Sequence, residues 1–186
     1  RKSLLDAAKR SDIALGFEED AGKGTIARRG WSGWTLTVTG KQSHSSGIFT
    51  PEAGDGAIFE MARILNAFRE RLSTEKYLTF NPAIAAGGTD VTYDPARISG
   101  TTAGKDNVIA RSAVARGDLR FISADQLKQT RDVMRDIVAH NLPGTSARIV
   151  FEDGNPAMPP TKGNYALLGV EDSVSRALGQ GPVEPL

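Results

Sequence analysis

The chain has 186 residues, no cysteine, two histidines, 39% hydrophobic residues and a formal net charge of +1. Such a length buries a core without disulfide staples, and the absence of cysteine excludes thiol nucleophiles, zinc fingers and iron–sulfur ligation. The near-neutral charge argues against a nucleic-acid partner, and no apolar run reaches the ~20 residues that cross a bilayer.

Residues 2–9 read as a short helix. Ile13, Ala14, Leu15 and Phe17 then form an apolar run ending at Glu18-Glu19, expected to be a strand covered on both faces. From Gly30 the pattern changes. Trp34, Leu36 and Val38 alternate with Thr35, Thr37 and Thr39, which predicts a half-buried strand ending at Gly40. His44 follows in a loop of serine and glycine. The spacing of Ile58, Met61, Leu65, Phe68 and Leu72 predicts a helix over about 55–72. Phe59, Ala62 and Ile64 widen its apolar stripe, either as a broad core face or as a second face buried in a subunit interface.

Tyr77 to Ala86 reads as a strand. Pro82 inside it cannot donate to a ladder, so an edge position is expected. A Gly-, Thr- and Asp-rich loop is expected to run to Asp106. Asn107 to Phe121 then reads as a long strand, with Ala113, Ala115, Gly117, Leu119 and Phe121 on one face. Val114, Arg116, Asp118 and Arg120 share the other, open face. Ser123 to Gln126 has the form of a capping box. The helix it starts carries Leu127, Thr130, Met134 and Ile137, and Pro143-Gly144 stops it. Ala147 to Phe151 is a last alternating strand, and a further helix is expected over 164–178.

The order over 30–151 is β-α-β-β-α-β, so the predicted fold class is α+β. It is a ferredoxin-like arrangement with a four-stranded antiparallel sheet and two helices on one face. Each large side chain that the helices bury contributes about 1.5–3 kcal/mol. The run at 13–17 has no partner in that unit, and both flanks read as fragments of an α/β domain.

No nucleophile elbow, phosphate loop, dinucleotide fingerprint or H-E-x-x-H is present. The strand over 112–121 also lacks the glycine-aromatic pattern of an RNA-binding sheet. His44 is by default an exposed loop residue, and Arg120 a solvated strand residue. Glu18 ends an apolar strand, the edge at which α/β sheets bind ligands.

Taken together, these positions resemble one family. Phe17-Glu18, Arg29-Gly30-Trp31 and the string Thr35 to His44 (TLTVTGKQSH) are similar to the co-catalytic zinc peptidases. That family includes glutamate carboxypeptidase, aminoacylase and succinyl-diaminopimelate desuccinylase. Asn107-Val108-Ile109 followed by Gly117-Asp118-Leu119-Arg120-Phe121 matches the family's second lid signature. The resemblance implies a lid over residues 28–154, flanked by catalytic-domain pieces at 1–27 and 155–186. It implies two zinc ions in the whole enzyme, a homodimer formed through the lid, and a peptide or N-acyl amino acid as substrate.

Residue by residue, the resemblance makes Glu18, or its neighbour Glu19, an acidic zinc ligand. It makes His44 the lid histidine that reaches the partner subunit's active site as an oxyanion donor. Arg120 becomes the clamp for the substrate's free carboxylate, and Asn107 a second polar contact to substrate. The family's H-x-D motif, its general-base pair and its last histidine have no counterpart here. One carboxylate cannot hold two zincs. The chain is therefore expected to be an internal piece of a longer enzyme, inactive alone. The rival expectation is a non-catalytic ferredoxin-like dimerisation or regulatory module.

Overall fold

The computed structural model describes residues 2–16 and 23–186. In chain order the elements are α1 (Lys2–Ala8), β1 (Lys23–Gly24), β2 (Gly30–Gly40), α2 (Ala57–Leu72), β3 (Thr79–Gly88) and β4 (Asp90–Asp94). Then follow β5 (Ser99–Ala103), β6 (Ser112–Phe121), α3 (Ala124–Ala139), β7 (Thr145–Asp153), α4 (Lys162–Ala177) and β8 (Glu184–Pro185). The chain divides into two compact units, residues 27–160 and residues 1–26 with 161–186. No helix among the described residues is long and apolar enough to cross a membrane.

The period-2 pattern of β2 builds the middle of the larger unit. Trp34, Leu36 and Val38 are fully buried, while the threonines between them face outward. β2 pairs antiparallel with β6 on one side and β7 on the other, and β3 pairs with the far side of β6. The order β3-β6-β2-β7, with α2 and α3 packed on one core, is the expected ferredoxin-like sheet. β3 is an edge strand, and its register shifts between Pro82 and Ile84. That is where a residue without an N–H is tolerated. The Trp34 ring meets Phe68 of α2 edge-on, with centroids 6.0 Å apart, and its Nε1 donates to the Asp118 carbonyl.

The capping motif forms with one change. Ser123 Oγ accepts the Gln126 N–H at 3.1 Å, but Gln126 Oε1 accepts from the Ile122 N–H, one residue before the usual position. The buried stripe of α3 is Thr130, Met134, Ile137 and Val138, close to expectation.

Helix α2 is rotated from the predicted stripe. Ala57, Met61, Ile64, Phe68 and Leu72 are buried with Glu60, whereas Ile58 and Phe59 are exposed and Leu65 is only partly buried. The cause lies at the start of the helix. The Ala57 N–H donates to the Ala110 carbonyl, and the chain passes Gly40 so closely that a Cβ there would lie 2.8 Å from the Ala57 nitrogen. That close pass leaves no room for a side chain at position 40, and Ala57, fully buried, takes the place the spacing gave to Ile58.

Three further expectations are corrected. No strand forms over 12–16, where Ile13 and Leu15 are exposed, and Phe17 lies outside the described residues. A strand needs a neighbour for its backbone hydrogen bonds, and the described residues offer this run none. The segment read as a loop to Asp106 contains the hairpin β4–β5. Val91 and Tyr93 alternate with polar residues, Thr92 pairs with Thr101 at 2.7 Å, and Asp94 Oδ1 accepts the Ala96 and Arg97 N–H groups to close the turn. The hairpin covers part of the open sheet face, leaving an open cleft of about 320 Å³ bounded by Thr35, Thr37, Tyr93 and Val114. The ladder of β6 spans Ser112–Phe121 only, so 107–111 lies outside it.

In the smaller unit β1 and β8 pair in parallel, an interaction without a clear sequence signal. Helix α4 buries Leu168 and exposes Tyr165, Val170 and Val174. Asp172 accepts from Arg176 and from the Val183 N–H, and those bonds hold its carboxyl below the usual carboxylate range.

A buried ion pair within α2 ties that helix to the end of α3 and to the turn after it. Glu60 is fully buried and takes both arms of the Arg63 guanidinium at 2.9 and 2.8 Å. It also accepts the Leu142 N–H at 3.1 Å, while Arg63 donates to the Ile137 carbonyl. Arg63→Ala leaves that carboxylate without its counter-ion and is expected to cost about 3 kcal/mol in denaturant unfolding. Replacing both residues by apolar ones of similar volume should cost much less. A single-variant loss under about 1 kcal/mol would contradict this role.

Candidate active-site elements

Past Gly40 the chain leaves the sheet, and a backbone clasp catches it again. The Ile109 N–H donates to the Ser43 carbonyl at 2.8 Å, and the Ser45 N–H donates to the Asn107 carbonyl at 2.9 Å. These two bonds form an isolated antiparallel bridge between His44 and Val108. Two residues singled out in the sequence, His44 and Asn107, are therefore held side by side, and both are exposed.

His44 is also the N-cap of a short 3-10 turn, Ser45–Gly47. Its Nδ1 lies 3.2 Å from the Ser46 backbone nitrogen and 2.8 Å from Ser46 Oγ. No other hydrogen bond to the ring is found among the described residues. Ser46 was not singled out in the sequence. Its signal in the sequence is its place in the Ser-Ser-Gly run that follows His44, which fits the same family resemblance.

Arg120 lies at the opposite end of the sheet. It pairs in register with Trp31 on β2 and Thr79 on β3, whereas Thr39 of β2 pairs with Ser112. From Ser112 to Arg120 the strand runs about 27 Å at the usual rise per residue. The Arg120 guanidinium is about half exposed, and its Nε donates to Asp118 Oδ2 at 2.9 Å. One chain thus brings His44 and Asn107 together but keeps Arg120 away from both. Asn107 and Arg120 of the same chain cannot grip one carboxylate.

Glu18 lies outside the described residues, as does Glu19. Among the described residues no three histidine, aspartate or glutamate side chains gather as metal ligands. The second histidine, His140, ends α3 with its Nδ1 donating to the Asp136 carbonyl at 2.8 Å. The described residues therefore do not form a zinc site.

An exposed apolar patch adjoins the His44 turn. Phe49 and Phe59 are both exposed, with ring centroids 5.4 Å apart. Ile58 continues the patch to the edge strand, packing so tightly over Gly87 that a Cβ there would lie 2.6 Å from Ile58 Cγ1. Ile64 belongs to the core and Phe59 does not. The wide stripe of α2 is thus a core face and a separate outer face side by side.

Residues 26–146 match the family described as the peptidase dimerisation domain. Among solved structures the chain is similar to aminopeptidase PepT from Bacillus cereus, at 17% identity and a TM-score of 0.63, over all of this chain and 48% of that one. A tripeptidase from Staphylococcus aureus matches at 17% and 0.64, over all of this chain and 48% of its own. A hydantoinase/carbamoylase family amidase from Burkholderia ambifaria matches at 18% and 0.59, over 87% of this chain and 36% of its own. At such identities the likeness is one of fold. The chain spans about half the length of the two peptidases. No curated protein matches it in sequence.

Calorimetric titration of the chain with zinc is expected to show no tight site, since metal affinity needs several gathered ligands. Two tight sites on the isolated chain would overturn that expectation.

Proposed function

Because the chain belongs to the M20 peptidase dimerisation-domain family, we propose that it is the lid and dimerisation part of a zinc-dependent, carboxypeptidase-like amidohydrolase. The enzyme cleaves the amide bond next to a C-terminal residue, with glutamate as the first choice. Residues 28–154 form the lid, and 1–27 and 155–186 belong to the catalytic domain. The zinc ions are held outside the described residues, with Glu18 as one ligand. On this reading the isolated chain is inactive.

The observation that carries the proposal is the separation of the two ends of the sheet. His44 and Asn107 share one end, and Arg120 stands about 27 Å away along the strand. A single substrate cannot touch both ends of one chain. In a two-fold dimer the same surfaces meet from opposite subunits. Arg120 then serves the active site of its own subunit, gripping the substrate carboxylate through its planar fork. His44 serves the partner's active site, donating to the oxyanion that forms on the scissile carbonyl, with Asn107 beside it. Arg120 needs only to exchange Asp118 for the substrate, and the two bonds are of the same kind.

The dimer surface on this reading is the outer face of α2, with Ile58 and Phe59, together with Phe49 and the edge of β3 before Gly87, whose carbonyl is taken by the Thr102 hydroxyl. An unpaired edge exposes backbone donors and acceptors, and a second copy satisfies them. Phe59→Glu buries a charge in that surface and is expected to convert a dimer to a monomer by light scattering. The unmodified chain scattering as a monomer at high concentration would refute this surface.

In the full enzyme, His44→Ala is expected to lower kcat by about 10²–10³, the usual loss for an oxyanion donor. Arg120→Ala should mainly raise KM. Mixing the two variants separates the subunit assignments. If the two residues serve an active site from different subunits, each mixed dimer has one intact site, and at substrate concentrations well below the KM of Arg120→Ala about a quarter of the wild-type rate returns. No recovery on mixing would place both residues in one subunit's site.

A further inference from the structure

We propose that Ser46 is a positioning residue that fixes His44 in the Nε2–H form, so that the exposed nitrogen of the ring is always the donor. This rests on the reading of His44 as an oxyanion donor, although the geometry itself does not.

The argument starts from what each atom can do. A backbone amide nitrogen can only donate, and the Ser46 amide faces His44 Nδ1 at 3.2 Å. Nδ1 must therefore be the acceptor and carry no proton in the neutral ring. The Ser46 hydroxyl, 2.8 Å from the same nitrogen, then turns its hydrogen toward it and adds a second donor. In the other tautomer Nδ1–H would point at the Ser46 N–H, donor against donor. The neutral proton is thus driven to Nε2, the nitrogen that faces away from the turn. An oxyanion needs a donor already in place, and a ring able to present a bare nitrogen would spend part of its time as an acceptor.

The same chain holds an internal contrast. His140 Nδ1 faces the Asp136 carbonyl at 2.8 Å, and a carbonyl can only accept. His140 is therefore fixed the other way, with its proton on Nδ1. These are the only two imidazoles in the sequence, so their nitrogen spectra are simple to separate.

The test is a long-range nitrogen–proton correlation spectrum of the chain labelled with ¹⁵N-histidine, taken at a pH where both rings are neutral. His44 is expected to show the Nε2–H pattern and His140 the Nδ1–H pattern. Ser46→Ala keeps the amide but removes the hydroxyl, and should lower the Nε2–H to Nδ1–H ratio of His44 about three- to tenfold, the worth of one hydrogen bond. Ser46→Thr should restore it, and His140 should not change in either variant. An Nδ1–H pattern for wild-type His44 overturns the proposal, as does an unchanged His44 ratio in Ser46→Ala. In the full enzyme kcat follows the fraction of His44 in the Nε2–H form, so Ser46→Ala should lower kcat only as far as the spectrum shows that fraction to fall, and leave KM in place. If His44→Ala itself leaves kcat unaltered, the oxyanion role fails, while the spectrum still decides what Ser46 does to the ring.

Discussion

The antiparallel ladder between β2 and β6 governs the rest of the structure. It runs from Gly30 opposite Phe121 to Thr39 opposite Ser112 without a break. A strand has a side-chain period of two, so a slip of one residue would turn Trp34, Leu36 and Val38 out to solvent. It would also turn Ala115 and Leu119 away from the helices. Core and register are thus one constraint. The same ladder is a rigid ruler, because its hydrogen bonds fix how far apart its two ends lie. The strand that buries Leu119 places Arg120 at one end, and the strand that buries Val38 leads to His44 beyond the other. No rotation of side chains closes that distance. The separation of the two ends within one chain therefore follows from the length of a strand.

Features with short-range causes were legible in the sequence. The alternation of β2 and β6, the edge placement of a strand containing Pro82, and the serine cap of α3 each depend on a few neighbouring residues. Features set by contacts distant in sequence were not legible. The stripe of α2 is turned by the backbone of Ala110 and by the close pass at Gly40, which no helical periodicity contains. The hairpin β4–β5 was hidden because its glycines and threonines resemble those of a loop. The alternation of Val91 and Tyr93 is only two residues long. The apolar run at 13–16 carried a real strand signal, but it has no backbone partner among the described residues. At the site, the string around His44 was distinctive. Its bond to Ser46, and the grouping of Asn107 with His44 rather than with Arg120, required the fold.

The His44 platform is a loop between β2 and α2, yet it is built as firmly as a regular element. The Gly47 carbonyl accepts the Thr50 hydroxyl at 2.8 Å, the Phe49 N–H donates to Gly54, and the Gly54 N–H donates to Thr50. Lys41 reaches the Glu52 carbonyl at 3.1 Å. These bonds hold Phe49 at φ 68, a conformation that costs a non-glycine residue about 1 kcal/mol and persists only where its surroundings fix it. The loop is in turn fastened to the far helix. Gly54 and Gly144 both have positive φ and pack backbone to backbone, and the Asp55 N–H donates to the Pro143 carbonyl. Leu142, next in that turn, is the residue whose N–H is held by buried Glu60. The chain of contacts runs from Glu60 through the 142–144 turn to the 53–55 loop, and on to the histidine. The buried ion pair within α2 therefore bears on more than helix packing, since it braces the turn against which the His44 loop is built. The loop also carries Phe49 on the outer apolar patch. One internally bonded segment thus carries both His44 and part of the exposed apolar patch, so the placement of the ring relative to that patch is set within one chain.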